Sequence, residues 1–271
     1  MSWLAAKLRS FCYLCAIYCF LGLFFLVYLW TLLYFGVDRN RPKLTGKQSG
    51  LRLNPGLALV PLERSDHRLI HCKPDDERMT SEYVNGMEAF LLRYQEGKAK
   101  RGRVHECQPE QLKVGINCQF DVNAGGPCNY DSSYGYDSGE VCIVLKLNNV
   151  YGWVPDPVNS TDRGVRVRCT GQEPIDDQLL GPVCFYDLRW YREGEPEGDG
   201  PCPNDRDFGL LDAMFFPYLN KRWYESPLVF VQFPQVTRHV LIRVKCWAEA
   251  KNIHVDWHND EGSITFQLLV D

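Results

Sequence analysis

The sequence predicts a single-pass membrane protein whose large segment is a mainly-β domain, an antiparallel sandwich with one helix. Three observations predict it. Residues 11–35 form a run of 25 without charge. Nine of the twelve cysteines lie beyond it: Cys72, Cys107, Cys118, Cys128, Cys142, Cys169, Cys184, Cys202 and Cys246. The segment that holds them reads as short apolar strands punctuated by Pro, Gly and Asp.

From the start of the chain, residues 1–10 make a short tail carrying Lys7 and Arg9. Residues 11–35 make the span: a helix of that length rises about 37 Å, more than the roughly 30 Å of a bilayer's hydrocarbon. A cleaved signal has an apolar region of about 7–15 residues and a small-residue cleavage site. Here the run is longer and ends in Gly36-Val37-Asp38-Arg39, so an uncleaved signal-anchor is expected. The flanking charges do not favour an outside carboxyl terminus, because Arg39, Arg41, Lys43 and Lys47 follow the span. Cysteine density decides for an oxidising compartment and a type II topology. The sequon Asn159-Ser160-Thr161, in a Pro/Asp-rich loop, agrees with it as a glycosylation acceptor.

Residues 36–60 read as a juxtamembrane stalk, with Pro42, Gly46, Gly50, Pro55 and Gly56 and little periodicity. Residues 61–271 read as the disulfide-bonded domain. Its helix starts at a Thr80 or Ser81 cap, carries Tyr83, Val84, Met87, Phe90, Leu91 and Tyr94 as a stripe, and ends near Gly97. Strands are expected over 141–147, 240–245 and 264–270.

The net charge is −4 overall, and −6 beyond the span once Lys7 and Arg9 are set aside, so no basic face invites nucleic acid. None of the nine cysteines beyond the span forms a C-x-x-C pair, which argues against a zinc ribbon and leaves disulfides as the default, with connectivity open. His254 and His258 have i, i+4 spacing but no helical pattern around them, so a loop pair is expected rather than a metal site. Asp205-Arg206-Asp207 is a D-x-D, as in type II glycosyltransferases, but the strand pattern supplies no doubly wound sheet to hold a nucleotide. Neither P-loop, G-x-S-x-G nor H-E-x-x-H occurs, and no cofactor or catalytic residue is assigned.

The string Ser133-Tyr134-Gly135-Tyr136, running through Val141-Cys142, Lys146-Leu147-Asn148 and Gly152-Trp153-Val154-Pro155, resembles the β subunits of the sodium/potassium- and proton/potassium-transporting ATPases. Pro55-Gly56-Leu57, the nine residues between Cys118 and Cys128, Cys169-Thr170-Gly171, Phe216-Pro217-Tyr218 with Lys221, Pro227-Leu228, Val231-Gln232-Phe233 and Lys245-Cys246 are similar in the same order. The resemblance implies an immunoglobulin-like sandwich with one inserted helix. It implies disulfides Cys107 to Cys118, Cys128 to Cys142 and Cys169 to Cys246. Three features depart from it. The tail lacks the family's aromatic/Gly-Arg-Thr segment. Only Tyr18 of its transmembrane Tyr-x-x-Phe-Tyr pattern is present, with Leu14 and Ile17 in the other places. An insertion near 182–207 carries Cys184 and Cys202, an extra disulfide pair. These departures fit a divergent, invertebrate member.

The function implied is that of a non-catalytic subunit: it assembles with, delivers and modulates the catalytic α subunit of a P-type cation pump at the plasma membrane. Tyr18 and Gly22 on the span, and Phe216 and Tyr218 in the ectodomain, are the expected partner contacts, set against a reading of core packing. Lipid is the other partner of the span. A cell-adhesion protein using the same ectodomain without a pump is the alternative, and a Golgi glycosyltransferase a more distant one.

Overall fold

The computed structural model describes residues 2–38, 41–45, 48–49, 54–61, 68–99, 107, 117–193, 201–202 and 206–271. They fall into two compact units, Met1–Thr45 and Gly46–Asp271.

The first unit is one helix, α1, Ser2–Gly36. Its stretch Lys7–Gly36 is long and apolar enough to cross a membrane, and none of it is buried by the protein. The uncharged side chains of residues 11–35 make it insoluble as an exposed surface, and backbone hydrogen bonds closed within the helix make it stable in lipid. Thr31 Oγ1 donates to the Val27 carbonyl at 2.7 Å, so even this hydroxyl is satisfied internally. Aromatics mark both ends: Lys7 Nζ sits 3.8 Å from the Trp3 ring centroid, and Trp30 stacks on Tyr34, which meets Phe35 edge-on. Such rings suit the headgroup layer.

The second unit holds two sheets. The strands are β1 (Leu57–Val60), β2 (Leu69–Cys72), β3 (Cys142–Leu147), β4 (Gly164–Gly171), β5 (Cys184–Tyr186), β6 (Gly209–Asp212), β7 (Val229–Gln232), β8 (Ile242–Glu249) and β9 (Ser263–Val270). One sheet runs β1-β3-β7-β5 and the other β2-β9-β8-β4-β6. Contacts of β1 with β8 and β9, and of β6 with β7, bring the sheets together. One continuous apolar cluster fills the unit. β8 and β9 mostly alternate between buried and more exposed positions, as strands with one wet face do. β7 is buried throughout and β3 everywhere but Lys146, so the four-stranded sheet is covered on both faces.

The structure corrects four expectations. First, the sandwich is not wholly antiparallel: β2 pairs in parallel with β9, Leu69 opposite Gln267 through Cys72 opposite Val270. No hairpin constrains strands that far apart in sequence, so either direction is open to them. Second, Leu57–Val60, placed in the stalk, form β1 on the sheet edge with Leu57 and Leu59 buried. Pro55, Gly56 and Pro61 bracket a strand too short to show a period. Third, the main helix, α2, spans Glu77–Ala99 and so runs through Gly97. Its start is capped by Asp76, whose Oδ1 accepts from the Arg78 and Met79 amides at 3.0 and 3.4 Å. Thr80 and Ser81 lie inside it, their hydroxyls donating to the Lys73 and Arg78 carbonyls. Fourth, two short helices join α2: α3, Pro174–Leu180, with a Glu173/Asp176 capping box, and α4, Leu188–Glu193. Neither is long enough to carry a helical stripe. Asp187, 1% exposed, fixes α4 by accepting from the Arg189 amide and guanidinium and the Leu210 amide.

Candidate partner-binding surfaces

On α1, Tyr18 and Gly22 stand one turn apart. Tyr18 is 71% exposed. A Cβ built on Gly22 meets nothing within 4 Å. A projecting phenol beside a missing side chain gives a knob next to a notch, the relief that lets a second helix approach closely. Leu14 and Ile17 are exposed on the same helix.

The Tyr134-Gly135-Tyr136 string has a clear physical role. Tyr136 is fully buried and its ring stacks on Tyr83 of α2, centroids 4.9 Å apart and planes within 4°. Tyr134 Oη donates to Glu88 Oε2 of α2 at 2.7 Å. Burial and the neighbouring carboxylate push the Tyr134 phenol up, so it remains a donor. Between them Gly135 takes φ +75°, and a Cβ there would lie 2.0 Å from the Glu140 carbonyl oxygen. Only glycine lets the two tyrosines grip α2 from one turn. Tyr83, Met87, Leu91 and Tyr94 are buried, while Val84 and Phe90 are half-buried.

Phe216 and Tyr218 are half-buried and already engaged within the chain. Phe216 meets Trp153 edge-on at 5.5 Å and Tyr218 meets Tyr224 at 4.9 Å. Tyr218 Oη donates to Asn220 Oδ1 at 2.8 Å, and its carbonyl accepts from Gly152. Their packing serves first to hold the 151–153 and 216–224 loops together. Asn159 sits exposed in a turn.

Four disulfides occur: Cys107–Cys118, Cys128–Cys142, Cys169–Cys246 and Cys184–Cys202. Cys169 and Cys246 are register partners on neighbouring strands β4 and β8. Cys184 heads β5 and ties back the chain that follows α4. Cys72, at the end of β2, is 1% exposed and donates its Sγ–H to the Tyr136 carbonyl at 3.3 Å. Burial pushes this thiol up to about 11, so it stays protonated and inert at neutral pH.

Among the described residues no group of His, Cys, Asp and Glu is arranged to hold a metal ion. His254 and His258 lie in a non-helical loop; the His254 amide donates to Asn54 and the His258 amide to Asp256. Of the D-x-D, Asp205 lies outside the described residues and Asp207 is paired with Arg168 at 2.7 Å. Sequence reasoning overlooked Glu88 and Trp190. Glu88 flanks the apolar stripe of α2, one position from Met87, which was the available signal. Trp190 belongs to a helix with no pattern of its own.

Comparison with known proteins bears directly on these surfaces. The family profile described as the sodium/potassium ATPase beta chain matches residues 2–266. Subunit beta-2 of the sodium/potassium-transporting ATPase of Drosophila melanogaster is 27% identical over 267 residues, covering 87% of this chain and 76% of its own. A probable subunit beta-3 from Caenorhabditis briggsae is 27% identical, covering 94% and 77%. The human subunit beta-2 is 26% identical, covering 94% and 83%.

Proposed function

The chain belongs to the sodium/potassium ATPase beta chain family, and from that premise we propose that it is the non-catalytic subunit of a cation-transporting P-type ATPase. The profile match across residues 2–266, span and ectodomain alike, is the observation that carries this reading. The subunit acts through binding energy. A chain that binds the folded catalytic α subunit and not its unfolded form stabilises it by mass action. It shifts cation affinity only by the difference in its own affinity for the α conformers.

The finer assignments follow from the same reading. The chain is anchored in the plasma membrane by residues 11–35, with residues 1–10 in the cytoplasm and the carboxyl terminus outside. Cysteine density and Asn159, carrying a glycan, support that orientation. The ectodomain is an immunoglobulin-like sandwich elaborated by α2, with four disulfides formed in the secretory pathway. Tyr18 and Gly22 present the helix face that meets α. Phe216 and Tyr218 shape loops beside the α surface.

Co-purification tests the reading. The full chain, expressed with its native partners and extracted in mild detergent, should recover a multispanning P-type ATPase in stoichiometric amount. Gly22→Leu should reduce that recovery while leaving the ectodomain's melting unchanged. Recovery of surface or matrix proteins alone, with no ATPase, would overturn the subunit reading.

A further inference from the structure

A cavity of about 540 Å³ lies between α2, the 122–134 segment and α4. Three elements already described build it. The Tyr134-Gly135-Tyr136 turn fastens the segment to α2. The cap at Asp187 fixes α4 and presents Trp190. The Cys128–Cys142 disulfide anchors the segment to β3. Its size lies in the range of small-molecule sites, about 300–1,000 Å³.

The walls are of mixed chemistry with one sign of charge. Glu88 and Asp131 line it, and no lysine, arginine or histidine does among the described residues. Glu88 is half-buried, yet its hydrogen-bonding partner is the neutral phenol of Tyr134 rather than a cation. That phenol occupies one lone-pair direction of Oε2, and among the described residues no cation pairs with the carboxylate. A carboxylate held away from bulk water without a cationic partner is costly unless a cation arrives. Three aromatic rings, Tyr130, Tyr134 and Trp190, line the same space. Aromatic faces with a carboxylate are the environment that receives an organic ammonium. Leu91 and the Cys128 sulfur add apolar wall for its carbon body.

A second observation concerns Trp190. The side chain is 7% exposed, and its Nε1–H donates to none of the described residues. The indole edge packs on Gly126, where a Cβ would sit 3.0 Å from Nε1. Trp190 lines the cavity, and among the described residues no acceptor meets its indole N–H, so a donor is available to a ligand oxygen there.

We propose that this cavity is a binding site for a small organic ammonium carrying an oxygen acceptor, an amino alcohol of about the size of choline. The ammonium lies between the Glu88 carboxylate and the aromatic rings, with Asp131 at the open rim. The oxygen accepts from Trp190 Nε1. A free cation fits better than a phosphodiester-linked headgroup, because Glu88 and Asp131 would repel the phosphate. The site is independent of the pump partnership, so each reading stands or falls on its own experiment.

The test uses the full chain in a maltoside detergent, which carries no choline. Saturation-transfer NMR and tryptophan fluorescence follow titration with choline, with its neutral isostere 3,3-dimethylbutan-1-ol, and with glycerophosphocholine. Choline should bind saturably and at least about tenfold more tightly than the isostere. Glu88→Gln should weaken choline about tenfold and leave the isostere unchanged. Asp131→Asn, at an exposed position that does not threaten folding, should weaken choline less. Equal binding of choline and its isostere, or choline binding unchanged in both variants, would overturn the proposal. So would the absence of saturable binding. Tighter binding of glycerophosphocholine than of choline would overturn the free-amine assignment in favour of a lipid headgroup.

Discussion

Replacing Gly135 with alanine isolates what the Tyr134-Gly135-Tyr136 turn contributes. Two glycines share nearly the same backbone conformation, Gly135 at φ +75° and Gly152 at φ +72°. Around Gly152 a Cβ meets nothing within 4 Å; at Gly135 it would lie 2.0 Å from the Glu140 oxygen and 2.7 Å from its carbonyl carbon. Gly152→Ala therefore bears only the left-handed cost, about 1–2 kcal/mol. Gly135→Ala bears that cost and must also move backbone by about 1.5 Å to reach ordinary contact distance. The movement displaces both flanking tyrosines from α2. The Tyr136–Tyr83 stack is worth about 0.5–1.5 kcal/mol, and the Tyr134–Glu88 bond, to a charged acceptor, about 1.5–3 kcal/mol. The expected total is about 3–6 kcal/mol, against about 1–2 kcal/mol at the control site. Urea unfolding of the two full-length variants, read as midpoint shifts at unchanged slope, measures both. Equal losses, within about 1 kcal/mol, would refute the reasoning, because the shared φ would then account for everything.

Two further outcomes follow from the carboxyl terminus and the disulfides. Asp271 accepts from His71 Nε2 at 2.7 Å and lies near Lys73 and His239, each at 3.5 Å. The His71 hydrogen bond, then His239 and Lys73, hold its carboxyl below the usual range. Its contribution is thus present above the ordinary carboxylate pKa and is lost as pH falls through the lowered folded-state value. Asp271→Asn should melt lower than the unaltered chain near neutrality and converge with it in acid; a constant gap across that titration would exclude the linkage. The Cys169–Cys246 bridge closes 77 residues and Cys184–Cys202 closes 18. In the chain-entropy account, replacing the first pair with serines costs about 4–5 kcal/mol and the second about 3 kcal/mol. Urea midpoints in the reverse order would show that native-state packing, not loop entropy, governs both.

What could be read from the sequence was what repeats locally. α1 is a run, α2 is a stripe, and β3 and β9 are apolar segments, so each carries its own signal over many residues. The start of α2 was misplaced because Thr80 and Ser81 look like caps, while Asp76 provides one a turn earlier. β1 hid between prolines. The ladder at 240–245 was shifted: Val240 and Leu241 are exposed, and β8 runs on through Trp247 to Glu249. The parallel pairing of β2 with β9 was illegible because no short-range turn encodes it. The cavity was illegible for the same reason. Glu88, Tyr134 and Trp190 come from three separate elements and share no motif; only the fold brings them together.

That parallel pairing constrains how the protein is made. β2 is the edge of its sheet and β9 is its neighbour there, while the His71–Asp271 contact joins residues 200 apart. No part of the chain synthesised before β9 provides the ladder that β2 occupies. The five-stranded sheet therefore closes only once β9 has left the ribosome, and until then β2 presents an unpaired edge of the kind that recruits other strands. A premature stop within β9 would leave all four disulfides in place. It would still leave a domain whose beginning has no place to dock, and such a chain is expected to be retained by quality control before it reaches its site of action.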